Sequence, residues 1–262
     1  MWVILIVVMF TPVALEQGTT GLWYGRCIDF PGTIARSHTR QELLQELEQE
    51  FKYHLTWLQI NNEKVPFIPS LDTFHLVVTE EVSNISELGE SGGEVALFEF
   101  DSQTVTRERM GYLFRLMGYN RRDLLALVKP LPHQKLTYSP KGGKRTITDI
   151  LHHVSNAEEF YISRLGEDAD RKYEAYAGIK QQEIDGLPVF DRLQVVRRAC
   201  IQTLEELIPQ KEGSIFTRSE YTTHPHEKWS AYKVLRRFLE HEREHYYNIL
   251  EYLNKPIRTV EN

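Results

Sequence analysis

From Thr106 onward the apolar residues recur at three- and four-residue steps, the period of a helix with one face against a core. Met110, Leu113, Phe114, Met117, Leu124 and Leu127 form one such stripe. They predict a helix over Thr106–Val128, ended by Lys129-Pro130-Leu131-Pro132. Similar stripes predict helices over Thr146–Leu165, from about Pro188 to Leu207, and over Ser230–Leu253. Four amphipathic helices of this length point to a bundle with room for a ligand between them. Asp168–Asp185 and Ile208–Trp229 are left as long connections, and Ser139–Arg145 as a basic, glycine-containing loop.

Before Asp101 the pattern is of another kind. Thr20–Ile28 predicts a strand, Asp29-Phe30-Pro31-Gly32 a turn and Thr33–Ser37 a second short strand. Thr39, with Glu42 three residues on, has the form of a capping box. The helix it opens, Arg40–Leu58, carries Leu43, Leu44, Leu47, Phe51, Leu55 and Leu58 on one face. Thr73–Val82 and Glu94–Phe100 predict two more strands, with Ser83–Gly93 a polar loop between them. The expected fold class is therefore an α+β N-terminal module, residues 1–103, followed by an all-α four-helix bundle, residues 104–262. The apolar run Trp2–Phe10 is too short to span a bilayer. It fits a buried strand, a signal peptide without the usual basic residues, or a chain whose true start is Met9.

Charge narrows the partners. With 37 acidic against 31 basic residues the net charge is −6, which argues against nucleic acid as the main partner. Cys27 and Cys200 fall in different predicted domains and neither belongs to a CxxC. No disulfide framework or thiolate metal site is implied, which suits a cytoplasmic protein with no membrane association.

The chemistry lies in three histidines. His241 and His245 are one helical turn apart, on the apolar line through Val234, Phe238, Ile249 and Leu253, so both should face the core. Arg236, Arg243 and Glu244 should then look outward. His153 has Ile150, Ala157 and Phe160 at −3, +4 and +7 and is likewise inward. Two inward imidazoles facing a third make three corners of a divalent-metal site, with the fourth open to water or substrate. The competing reading is three hydrogen-bonded core histidines. Burying them without a shared partner would cost on the order of a few kcal/mol, which favours the metal. His152 continues the polar side of its helix with Thr148, Asp149, Ser155 and Glu159, and is expected at the surface. Glu158 lies near the His153 face, either as a rim carboxylate, the preferred reading, or as a group orienting a ligand imidazole. His224 and His226 precede the last helix and are expected in a solvated loop, with lining of the site mouth as the alternative.

Two blocks carry a resemblance. Thr146-Ile147-Thr148-Asp149-Ile150-Leu151-His152-His153, and Trp229-Ser230-Ala231-Tyr232-Lys233-Val234-Leu235 followed by His241-Glu242-Arg243-Glu244-His245, resemble the DinB/YfiT-like superfamily of four-helix-bundle proteins over about residues 104–262. The resemblance implies a divalent metal, zinc or nickel, held by His153, His241 and His245. It also implies a transferase or isomerase activity on a small-molecule substrate that uses a low-molecular-weight thiol. More loosely, Gly21–Ile28, Asp29-Phe30-Pro31-Gly32, Ser37-His38-Thr39 and the leucine-rich helix are similar to HicB-like modules. That likeness implies an antitoxin-like role by analogy alone. The plainer expectation is an accessory module that packs on the bundle or forms a homodimer. The expected function is thus a metal-dependent, thiol-dependent S-transferase in stress response or detoxification. The alternative is a non-catalytic binding or antitoxin-like stress protein with a structural metal.

Overall fold

The computed structural model describes residues 9–65, 74–139 and 145–258. The chain forms two compact units, Met1–Phe100 together with Pro256–Asn262, and Asp101–Lys255. An α+β unit with a sheet is followed by a helical one, as the hydrophobic pattern predicts.

The first unit is built on β1 (Met9–Gly18), β2 (Trp23–Cys27), β3 (Ile34–Ser37) and β4 (Phe74–Ile85), in the order β3-β2-β1-β4. β1 pairs antiparallel with β2 and parallel with β4, and the helix α1 (Arg40–Ile60) lies in the chain between β3 and β4. A parallel neighbour requires such a crossover. Thr39 caps α1 by accepting the Glu42 N–H at 3.2 Å. The Glu42 carboxylate instead accepts from the Ser37 hydroxyl at 2.9 Å. Leu43, Leu47, Phe51, Leu55 and Leu58 are buried as expected. Gly25 lets helix and sheet approach: a Cβ there would stand 3.0 Å from Leu15 and 3.2 Å from Leu43 and Leu47.

Three expectations change here. Of the run Trp2–Phe10, Met9 and Phe10 open β1, and the rest lies outside the described residues. The principal strand is the next stretch, in which Val13, Ala14 and Leu15 are wholly buried. Second, β4 runs through to Ile85, so Ser83–Ile85 belongs to a strand rather than a loop. Third, Glu94–Phe100 is not a strand. It packs Ala96 and Phe98 against Ala14, but carboxylates take its backbone donors. Glu16 accepts from Ala96 N at 2.6 Å, and Glu80 from Glu99 N and Phe100 N at 2.6 and 3.2 Å. Glu16 is itself buried and ion-paired to Arg26. The C-terminal segment contributes Arg258, which donates to Glu46 at 2.5 Å and Glu50 at 2.9 Å.

The second unit contains the four long helices α2 (Arg107–Val128), α4 (Ile147–Ser163), α7 (Val189–Leu207) and α8 (Ala231–Tyr252), with the short α3 (His133–Leu136) after α2. Leu124, Ile150, Leu151, Val154, Leu193 and Ile249, drawn from all four, share one apolar core. The two supposed connections hold structure. Asp168–Asp185 lies almost wholly within α5 (Glu167–Ala177) and α6 (Gln181–Asp185). Ile208–Trp229 contains β5 (Ile215–Phe216), which pairs with β6 (Trp229–Ser230) at the start of α8. Within the basic loop, residues 140–144 lie outside the described residues. Among the described residues no helix is long and apolar enough to cross a membrane.

Candidate metal centre

Local capping sets the register of both helices that carry the histidines. At α4, Thr146 Oγ1 accepts from Asp149 N at 3.0 Å while Asp149 Oδ2 accepts from Thr146 N at 2.9 Å, a complete capping box. At α8, Ser230 Oγ accepts from Lys233 N at 3.0 Å and donates to the Asp101 carbonyl at 2.7 Å. His241 and His245 are thereby held on one face of α8, opposite His153 of α4.

The three rings converge. His241 Nε2 lies 3.1 Å from His153 Nε2 and 3.1 Å from His245 Nε2. Ligand atoms from all three lie within 4.8 Å of one another, the one such group of metal-capable side chains among the described residues. Three neutral imidazole nitrogens around a single point cannot satisfy one another fully, because each is either a donor or an acceptor. Metal–nitrogen distances of about 2.0–2.1 Å in a tetrahedral site separate ligand nitrogens by a little over 3 Å. The donor set therefore fits a divalent ion. His241 and His245 are buried, whereas His153 is half-buried. Asn248 lies 3.3 Å from His245 Nδ1 and can fix that ring's orientation. Tyr161 stands edge-on to His241 at 5.8 Å and Trp229 packs on Tyr161 at 5.7 Å, forming an aromatic wall.

Electrostatics favour neutral rings. Burial, then the neighbouring His245 and Arg145, lowers the His153 pKa to about 4. Burial, followed by His245, Arg237 and His153, puts His241 well below the ordinary range. Both lone pairs are thus available at neutral pH. In the metal-free protein the same shifts couple folding to acid. The unfolded histidines take up protons near pH 6.5 while the folded ones do not. Their contribution to stability is complete above about 6.5 and is lost as pH falls toward 4. The metal-free protein should show a melting temperature that declines from pH 7 to pH 5, and the decline should be shallower in His241→Gln. A flat profile over that range would contradict the assignment.

The remaining expectations resolve unevenly. His152 is half-buried and its ring lies outside the group. His226 is exposed and His224 half-buried, and neither joins the three histidines. Arg236 and Arg243 are not outward: they are each 2% exposed, and Glu244 is half-buried. Arg236 makes a two-pronged pair with Asp101 at 2.7 and 2.9 Å and reaches Glu240 at 2.9 Å, and Arg243 donates to Asn120 Oδ1 at 2.5 Å. Side-chain partners on neighbouring elements let α8 bury these charges.

Glu158 is not at the rim. It is buried, and its Oε1 accepts from both Arg121 and Arg197 at 2.5 Å. The same two arginines hold Glu242, at 2.5 and 2.9 Å. Arg121 also donates to the Leu193 carbonyl and Arg197 to that of Met117. One closed, charge-balanced quartet thus ties α2, α4, α7 and α8 together beside His241. Sequence reasoning noticed Glu158 alone, because the other three members occupy positions that patterning leaves neutral.

No curated protein and no solved structure matches the chain. The sequence profile of the DinB superfamily matches residues 117–249, a span that holds all three histidines and the ion quartet. With half of its length matched by that profile and a histidine triad set between the bundle helices, the chain belongs to the DinB superfamily.

Proposed function

We propose that this protein binds one divalent metal ion, zinc or nickel, through Nε2 of His153, His241 and His245, and that it is a metal-dependent transferase joining a low-molecular-weight thiol to an electrophilic small molecule. The convergence of three imidazole nitrogens 3.1 Å apart in successive pairs carries the reading. When bound, the ion supplies Lewis acidity that favours ionisation of a thiol near neutral pH. The chain's own residues prepare that chemistry. Burial keeps His153 and His241 uncharged, so neither repels a cation. Tyr161 and Trp229 exclude water from one side, and His153 is only half-buried. No carboxylate joins the histidine group among the described residues, so the thiol proton passes to solvent. The S–H bond breaks, an S–C bond forms at the electrophilic carbon, and the leaving group departs with its bonding pair.

The test uses the metal-loaded protein with glutathione or cysteine and chlorodinitrobenzene. Thioether should form faster than in buffer. The acceleration should disappear on chelation and in His241→Ala. Product formation that needs metal but no thiol would replace conjugation with hydrolysis at the same site. Stoichiometric metal without turnover of any electrophile would favour a structural ion in a non-catalytic stress protein.

A further inference from the structure

A second site lies further along α4, away from the histidines. A cavity of about 500 Å³ opens between α4, α5, α6 and the loop at Tyr221. That volume suits a small organic ligand. Its lining from α4 begins at Asn156 and ends at Ser163, one to three turns beyond His153, and none of the three histidines borders it. Two kinds of group dominate the wall: the aromatic rings of Phe160, Tyr173 and Tyr221, and the carboxylates of Glu159, Asp170 and Glu174. Among the described residues no lysine or arginine lines it, and the guanidinium groups of Arg164 and Arg218 lie behind the wall, 4.4 Å from the Phe160 ring and 5.5 Å from the Tyr221 ring.

The carboxylates differ in what already holds them. Glu159 accepts from the Tyr173 hydroxyl at 2.6 Å, from Gln181 at 3.0 Å and from Arg192 at 2.7 Å. Asp170 Oδ2 accepts from Arg218 at 2.6 Å. These two are positioned and neutralised from behind the wall. Glu174 makes no ion pair or side-chain hydrogen bond among the described residues and stands exposed at the opening. Glu174 is thus the one carboxylate of the wall without an ion pair among the described residues, and of the three rings Tyr173 alone has no guanidinium over its face. A metal ion does not answer to this arrangement, since among the described residues only the three histidines bring ligand atoms close enough together to hold one. A cation with an apolar body does: its charge meets Glu174, and its body packs on Tyr173 and Tyr221.

We infer that the cavity between α4 and α5 is a binding site for an organic amine carrying a single positive charge on an apolar or aromatic frame, separate from the histidine site. The Tyr173 and Tyr221 rings supply apolar contact and Glu174 supplies the counter-charge, while Glu159 and Asp170, each paired with an arginine, fix the wall. Phenethylamine is the probe. It is compared with phenethyl alcohol, which lacks the charge, and phenylacetate, which reverses it. Binding to the full chain is followed by titration calorimetry and by ligand-observed NMR. The amine should bind, the alcohol about tenfold more weakly and the acid not at all. Glu174→Gln and Tyr221→Ala, both at exposed positions, should each weaken the amine by about tenfold. His241→Ala should leave its affinity unchanged. The inference is overturned if the amine does not bind, if amine and alcohol bind equally, if Glu174→Gln binds as well as wild type, or if His241→Ala abolishes binding.

Discussion

His241→Ala should emerge from purification without its divalent ion, while wild type carries close to one per chain. His241 is the central member of the triad, with Nε2 at 3.1 Å from both partners. Its removal leaves two ligands too far apart in sequence to act as a local chelate. The affinity loss should exceed the ~10–100-fold typical of removing a partner that only orients a ligand. His152→Ala, one residue from His153 but outside the group, should retain full metal content. Metal analysis after dialysis against buffered zinc distinguishes the two. Equal loading of wild type and a His153/His241/His245 triple alanine variant would remove the site altogether.

Glu242→Ala should be among the most destabilising single changes in the bundle. It withdraws one carboxylate from a buried quartet and leaves Arg121 and Arg197 sharing Glu158 alone. Breaking a buried pair from one side costs about 3–5 kcal/mol, because the stranded charge stays desolvated. For a unit of this size that lowers the melting temperature by roughly 6–20 °C. Replacing all four members with apolar residues of similar volume should cost much less than the single change. Thermal or urea melts of metal-free protein keep this effect apart from any change at neighbouring His241. A loss below about 1 kcal/mol for Glu242→Ala would show that water or a rearranged arginine relieves the charge.

The triad was legible in advance because its signal is local and redundant. Two histidines four apart on an apolar stripe, and a third at a stripe position of another helix, need only the helical period to be placed. The quartet was hidden because Arg121, Arg197 and Glu242 look like surface residues until a partner from another helix is known. Arg236 and Arg243 were misplaced outward for the same reason: the letter Arg does not say whether Asp101 or Asn120 waits across the interface. α5 escaped because Ala169, Tyr173 and Ala177 bury its stripe at four-residue spacing, and two alanines contribute little apolar area among many charges. The cavity escaped with it. Glu94–Phe100 alternates like a strand, yet carboxylates from Glu16 and Glu80 occupy its backbone donors, and no periodicity shows that competition.

The return of Arg258 to Glu46 and Glu50 bears on biogenesis. In chain order the whole helical unit is inserted between most of the sheet unit and the segment that completes it. During synthesis, which proceeds from the N-terminus, the helices can assemble as soon as they leave the ribosome. The first unit emerges earlier but gains the contact between buried Glu50 and the Arg258 guanidinium only after the helical unit has been synthesised. Its completion therefore follows synthesis of the helical unit, and nascent chains stalled before Arg258 would carry all the bundle helices while the sheet unit still lacks that ion pair.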